Sequence, residues 1–491
     1  MRRLSIAAIL LISARAQTSS PDPERGRQIY RTGVGVSGKE ITAVFGKNGP
    51  EVSASTTPCA TCHGRDGRGK PEGGVTPSDI RWRQLTRDIP AGGNGGRVRP
   101  GYTERLLVRA FTMGLDSGGK PLNPVMPLYR MPASDARDLA AFIAMLGSQP
   151  DPGVSDTSLR LGALLPPHNQ GAPELSRSIR EVLTAYFADA AKDPVFGRVI
   201  EMRYLELPEV PEDRAAAVRT FLREQGIFAL VTGFLAGSDK EIGKVLDELG
   251  VPLVNAISAS PPLETNRYAF YLDGGIASQA NALVNSVLEN GASAPIAILY
   301  SPGGVEQQAA DNARALLSES EWPEVHAIST RDSDWMAQIA RSNAKIVLLL
   351  SRFPSFQPLA KLPDTLFLVP GVLLPPDSTE IPRAAGTRIR AAFPVLPSDF
   401  DVRAVAEYQK LAERYHLPAA GVQAQRSALC GAKIVMELLN RSGREVSREG
   451  LVDQQENLRE FPTGWSPVLS YSPGNHIGIR EPHVFELGKN Q

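Results

Sequence analysis

FALVTGFLAGSDKEIGKVLDELGVPLVN, residues 228–255, decides the fold of most of this chain. It opens on the apolar run Phe228 to Thr232, short and unbroken as in a strand buried on both faces. Ser238 to Leu249 reads as an amphipathic helix, and Pro252 to Asn255 as extended again. A strand, a helix and a second strand in so few residues argue for parallel pairing through a crossover helix.

The same cycle continues in both directions. Upstream, Leu159 to Leu165 is a strand candidate, followed by a helix from about Glu174 to Lys192, a strand at Val199 to Leu205 and a helix at Asp213 to Gln225. Downstream come strands at Ile296 to Tyr300, Ile346 to Leu350 and Leu366 to Pro370, with a helix at Val305 to Ser318. Two such runs, divided at the polar link Asn290 to Pro295, predict two α/β lobes with parallel sheets covered on both faces. Ligands in such folds sit beyond the carboxyl ends of the strands, here between the lobes. The stretch contains no GxGxxG after a strand, no phosphate-binding loop and no GxSxG, and His168, His326, His416, His476 and His483 are scattered. No enzyme is expected.

Gly147 to Asp156 is polar and rich in Pro and Gly, which marks residues 148–158 as a linker between domains. On its amino side, residues 17–150 carry 18 Lys and Arg against 12 Asp and Glu, a net of +6. Residues 151–491 carry 32 against 41, a net of −9. Neither half suits nucleic acid, and opposite signs suggest different partners. No window approaches the roughly 20 apolar residues a membrane helix needs. Residues 1–16 read as a secretory signal: Arg2 and Arg3, then the apolar Leu4 to Ile12, then Ala14-Arg15-Ala16, with cleavage expected before Gln17. No Cys follows that point to anchor a lipid, so a soluble periplasmic protein is expected.

Three cysteines are present: Cys59, Cys62 and Cys430. Cys430, in a helix beginning near Ala424, is expected to be a small core residue. Cys59-Ala-Thr-Cys62-His63 is a CxxCH sequence, the attachment pattern of a single covalent haem c. Two thiols three positions apart on one helical turn can both reach porphyrin vinyl groups, and the next residue offers an imidazole to the iron. A zinc site would need a second Cys or His pair, and a redox dithiol would not need the His. For the second axial position a thioether is expected, because a soft ligand favours reduced iron. Met126 in PVMPLY (124–129) is the first candidate and Met131 the competitor, with Met113 behind them.

Helices are expected at Asp22 to Thr32, at Tyr102 to Gly114, and after a Ser134 cap with Leu139, Phe142, Ile143 and Leu146 on one face. Gly64 to Gly101 reads as a loop whose arginines, with Trp82, are candidates for holding the haem propionates. Through CATCHGRDGRG (59–69), MPLYRM (126–131) and DLAAFIAML (138–146), nearly all of residues 22–147 resembles class I cytochromes c, within a domain expected over 17–147. That resemblance implies a small all-α domain, with Cys59 and Cys62 on the haem, His63 as proximal ligand and Met126 as distal ligand. Gly33 to Thr57 stands outside the resemblance as an insertion without an assigned role.

Almost the whole of residues 159–487, within a domain expected over 159–491, resembles type I periplasmic solute-binding proteins of the branched-chain amino-acid receptor branch. The motifs are LRLGALLP (159–166), FGRVIEMRYLE (196–206), ALVTGFLAGSDKEI (229–242), LGVPLVNAISASPPL (249–263), APIAILY (294–300) and the tail LVDQQENLREFPTGWSPVLSYSPGNHIG (451–478). The resemblance implies two lobes joined by three crossings that close on a small ligand. It places lobe-one contacts at Gly237 or Ser238 and at Ser258 with Ala259. Lobe-two contacts fall at Val305, Phe353 and Gly371. The family's carboxylate for the ligand ammonium is missing at Gly371, and a buried ammonium without it is costly. A standard amino acid is therefore not expected, and a neutral or acidic metabolite is.

The expected function is electron transfer by a mono-haem cytochrome fused to a receptor domain, with a dehydrogenase, an oxidase or another cytochrome as redox partners. The alternative makes solute capture for an importing membrane permease primary, with the haem as a redox gate. A peroxidase-like enzyme is a further alternative, against which Met126 argues.

Overall fold

The structure is a computed structural model describing residues 20–46, 49–69, 74–90, 98–167, 173–262, 266–291, 294–357, 359, 362, 364–374 and 388–487. The expected signal, its cleavage point before Gln17, and His168 lie outside the described residues. The chain forms two compact units, 1–150 and 151–491.

In the first unit, α1 (Pro23–Thr32) starts on Asp22, whose carboxylate accepts from the Glu24 and Arg25 amides, and stops at Gly33 in the left-handed region. The strands β1 (Thr42–Val44) and β2 (Glu51–Ser53) follow, then α2 (Cys59–His63), α3 (Trp82–Leu85), α4 (Glu104–Met113), β3 (Leu128–Arg130) and α5 (Ala133–Met145). The core gathers Ile29, Tyr30, Ile41, Phe111, Tyr129, Leu139 and Ile143. Two sequence expectations are corrected here. The unit is not all-α, because the insertion supplies two strands of an antiparallel sheet in the order β2-β1-β3. Burial of Ile41 and Ala43 in the core, with Val52 packed against it, holds them there. Ser134 is not a cap either: α5 begins at Ala133, behind Pro132, with no side-chain cap.

The second unit begins before the expected linker ends. The Asp151 carboxylate accepts from the Arg448 amide at 2.7 Å, and Gly153 and Val154 pair back on Leu159 and Arg160. Lobe one holds β4 (Ser158–Leu165), α6 (Pro173–Ala190), β5 (Val199–Glu206), α7 (Pro211–Glu224), β6 (Ala229–Phe234), α8 (Asp239–Leu249), β7 (Leu253–Ile257) and β8 (Ala269–Tyr271). Its sheet is parallel throughout, in the order β5-β4-β6-β7-β8. Lobe two holds α9 (Gly275–Leu288), β9 (Ile296–Tyr300), α10 (Val305–Glu319), β10 (Val325–Ser329), α11 (Trp335–Arg341), β11 (Ile346–Leu350), β12 (Leu366–Pro370) and β13 (Arg388–Phe393). The chain then returns to lobe one with α12 (Val402–Tyr415), α13 (Val422–Ser442) and α14 (Arg448–Glu456), and ends in lobe two with β14 (His483–Glu486). The second sheet runs β10-β9-β11-β12-β13-β14, with only β14 antiparallel.

The chain therefore crosses between the lobes three times, near Leu272, between Phe393 and Val402, and between Ile479 and His483. The lobes do not divide at Asn290 to Pro295 as the sequence suggests. The division comes earlier, because α9, ahead of that link, already buries Ile276, Ala280, Leu283, Val284 and Val287 in the second core. The first and third crossings run side by side: the Tyr271 amide donates to the His476 carbonyl at 2.8 Å, and the Gly478 amide to the Tyr271 carbonyl at 3.0 Å.

Candidate functional site

Cys59, Cys62 and His63 lie on the single short helix α2, between Pro58 and Gly64. Gly64 has φ +72°, and its carbonyl accepts from the buried Tyr30 hydroxyl at 2.6 Å, which pins the helix end to α1. Cys59 is half-buried against the core and Cys62 is exposed, and no disulfide joins them. Burial pushes the Cys59 thiol up to about 12, partly offset by the Tyr129 hydroxyl beside it. The His63 Nδ1 lies 3.0 Å from the Ser78 carbonyl oxygen, so it carries the proton and donates there. Nε2 then keeps its lone pair, and burial favours this neutral form. An imidazole oriented by a backbone carbonyl is the usual arrangement of a metal ligand. Among the described residues no three His, Cys, Asp or Glu side chains gather around one point, as a zinc site would require.

Met126 and Met131 are both half-buried against the core that holds Cys59, Ala60 and Trp82. Met113 is 63% exposed. Of the arginines in that loop, Arg81 pairs with Asp79 at 2.7 Å, and Arg99 meets the carbonyl of Leu85 at 3.0 Å and the face of Tyr102.

In lobe one the loops after β6 and β7 carry the predicted contacts. Gly237, at φ +84°, and Ala259 are exposed, Ser258 is half-buried, and Ser238 is only 4% exposed. The Ser238 hydroxyl accepts from Arg214 at 3.2 Å. Arg214 is 1% exposed and also donates to the carbonyls of Pro208, Glu209 and Ala236 at 2.9–3.1 Å. It therefore ties the loop after β5 to the loop after β6. Ser258 accepts from the Ser260 amide at 3.1 Å and meets Asp239, which also meets the Tyr271 hydroxyl. Burial holds the Asp239 carboxyl above the ordinary carboxylate range.

In lobe two, Val305 and Phe353 are half-buried beyond β9 and β11, and Phe353 packs on Trp335 with ring centroids 5.7 Å apart. The hydroxyls of Ser301 and Ser351 bond at 2.7 Å across the ends of the same two strands. Arg331 and Arg352 are exposed on this edge, and the Gly371 amide donates to Gln279 Oε1 at 2.9 Å. The lobes touch where Ser260 meets Gln308 at 3.3 Å. Beside that contact opens a cavity of about 570 Å³, lined by Pro261, Pro262, Asn281, Asn285, Asn312 and Arg480 among others. None of Gly237, Ser238, Ser258, Ala259, Val305 or Phe353 lines it.

Arg214, Asp239 and Trp335 are functional candidates that motif reading passes over, because charged and aromatic residues in amphipathic helices read as solvated faces; Tyr271 is passed over because it ends the three-residue strand β8. His476 proves a satisfied core residue, stacked on Phe270 at 4.0 Å and bonded to the Asn266 carbonyl at 2.9 Å and Glu456 at 3.3 Å. Cys430 is 1% exposed in α13, as expected.

A sequence model described as periplasmic binding protein matches residues 158–491. No curated protein matches the chain. Among solved structures, an ABC transporter substrate-binding protein of Aeropyrum pernix aligns with a TM-score of 0.53 at 12% identity, covering 67% of this chain and 92% of that one. A fatty acid ABC transporter substrate-binding protein of Thermomonospora curvata gives 0.51 at 16%, covering 68% and 90%. A branched-chain amino acid ABC transporter protein of Thermus thermophilus with bound valine gives 0.51 at 14%, covering 68% and 93%. These identities show a shared fold. With two parallel sheets crossed three times and a family match over more than half its length, the chain belongs to the periplasmic binding protein family.

Proposed function

We propose that this protein captures a small solute between the two lobes of residues 151–491, and that residues 17–147 carry one covalent haem c. The observation that supports capture is the facing pair of strand-end edges, one stiffened by Arg214 and Asp239, the other carrying Val305, Phe353 and Trp335 across a hinge of three crossings. Solute capture takes first place over electron transfer, because the family match covers that unit. An ABC-type membrane permease on the periplasmic face is the corresponding partner.

The valine bound by the Thermus protein and the fatty acid in the Thermomonospora protein's name mark two ligand chemistries. With Gly371 where an acid would meet an ammonium, and Arg331 and Arg352 on the same edge, we favour a neutral or acidic metabolite, such as an aromatic carboxylate, over an amino acid. Calorimetry of the purified protein against panels of amino acids, aliphatic acids and aromatic acids tests this. Binding of leucine or valine in preference to both acid panels overturns it.

Haem c is supported by the His63 geometry, which leaves Nε2 to the iron, and by two cysteines outside any disulfide. When bound, the haem supplies a one-electron couple. Cys59 and Cys62 would hold it, His63 and Met126 would be the ligands to its iron, and the surrounding apolar core would limit water. Two protein ligands to the iron would favour an electron carrier over a peroxidase-like enzyme. Its partners are redox proteins such as a periplasmic dehydrogenase or another cytochrome. Haem staining after a denaturing gel tests attachment, and no stain in protein expressed with a cytochrome c maturation system overturns it.

A further inference from the structure

The insertion Gly33 to Thr57 is sewn into the first unit at several places. Its strand β1 is central in the sheet and pairs with β3 through Thr42 opposite Arg130, Ala43 opposite Tyr129 and Val44 opposite Leu128. On the outer side Glu51 accepts from Arg130 at 2.6 Å and from the Thr42 hydroxyl. On the inner side Ile41 and Ala43 are buried with Tyr129. Ser37 donates to Asp135 at 2.7 Å, at the start of α5.

β3 fills the space between Met126 and Met131 except for Pro127. The insertion therefore turns a stretch that would be irregular loop into the edge of a sheet. Tyr129 completes the link, since its buried hydroxyl donates at 2.8 Å to the Thr57 carbonyl, two residues before Cys59.

We propose that the insertion is a positioning element that holds the Met126–Met131 segment at fixed reach from the attachment helix, so that thioether ligation of the iron persists. This rests on the haem reading above. A thioether is a weak axial ligand, and its occupancy depends on how often the segment carrying it swings away. A segment tied into a ladder has few such excursions.

Gly33 lies against Ala54: a Cβ on Gly33 would fall 2.1 Å from the Ala54 carbonyl oxygen. Residues 34–53 can therefore be excised and Gly33 joined to Ala54 without stretching the chain. The readouts are the near-infrared thioether band of the ferric full-length holoprotein and the rate at which cyanide takes the iron. Excision is expected to keep covalent haem, remove most of the band and speed cyanide binding at least about tenfold. Because excision also takes Ile41 and Ala43 from the core, a milder variant accompanies it. Glu51→Arg is expected to speed cyanide about threefold, with the parent rate restored by adding Arg130→Glu.

An unchanged band and cyanide rate in the excised protein overturn the proposal. If the excised chain does not fold, the charge pair decides: acceleration with rescue supports the proposal, and an unchanged rate overturns it. A parent protein without covalent haem overturns the haem reading and this proposal with it. A parent with haem and the thioether band keeps that reading standing, however the variants behave.

Discussion

At the residue scale, the two methionines beside β3 separate ligation from packing. Met126→Ala is expected to abolish the near-infrared band of the ferric protein while leaving covalent haem in place. Met131→Ala should keep the band and cost about 2 kcal/mol of stability in a urea titration, as for a half-buried methionine. A reversed pattern would assign the iron to Met131. In lobe one, Arg214→Met removes the donor from three carbonyls and from Ser238 at a site 1% exposed. The expected loss is about 3 kcal/mol in the unfolding of the second unit, with weaker solute binding because Ala236 and Ser238 lose their brace.

Asp239 carries a pH signature. Burial first, and against it donors from Ser258 and Tyr271, leave its carboxyl above the ordinary range. The folded chain thus binds this proton more tightly than the unfolded chain does. The resulting stabilisation is complete below the unfolded value of about 3.9 and is lost as pH rises through the raised folded value. Asp239→Asn should flatten stability against pH across that window and leave the protein more stable at neutral pH. A variant with the parent's slope would place the titration elsewhere.

At the element scale, β4, β5, β6, β7, β9, β11 and β12 of the second unit were legible because parallel sheets bury both faces and leave apolar runs, whereas β8, β10, β13 and β14 were not expected. Ile296–Tyr300, Ile346–Leu350 and Leu366–Pro370 fall where composition alone puts them. What composition cannot show is which sheet a helix serves. The α9 stripe Ile276, Ala280, Leu283, Val284 and Val287 would suit either lobe, and only packing assigns it to the second. The three-residue strands β1, β2 and β3 were illegible for a different reason, being too short to express a period and stabilised by partners distant in sequence. Of the candidate site, the CxxCH motif was legible because its chemistry is local. Arg214 and Asp239 were not, since their burial is created by loops that meet only in the fold. Close approach of elements gives a direct test. Gly431 in α13 faces the sheet, where a Cβ would come within 2.5 Å of the Val231 carbonyl oxygen. Gly431→Ala should destabilise the second unit by about 2 kcal/mol by forcing α13 off β6, although Ala is the better helix former.

At the scale of the whole molecule, the question is whether solute and electron know of each other. Each unit has its own hydrophobic core, and the connection near Gly147 to Pro150 is short and exposed. Coupling between haem and solute needs a free-energy difference between lobe-open and lobe-closed states that the haem can sense. The route that the sequence itself offers is electrostatic, the field of the −9 half acting on the +6 half. That field is screened over about 8 Å at physiological salt. The expected result of a redox titration with and without a saturating bound solute is therefore a midpoint constant to within about 20 mV, roughly half a kcal/mol for one electron. The same titration at low salt distinguishes the cause of any departure. A shift that appears only at low salt is electrostatic. One that persists in high salt means that lobe closure itself reaches the haem, and the chain is then a redox-reporting receptor rather than a receptor with a tethered carrier.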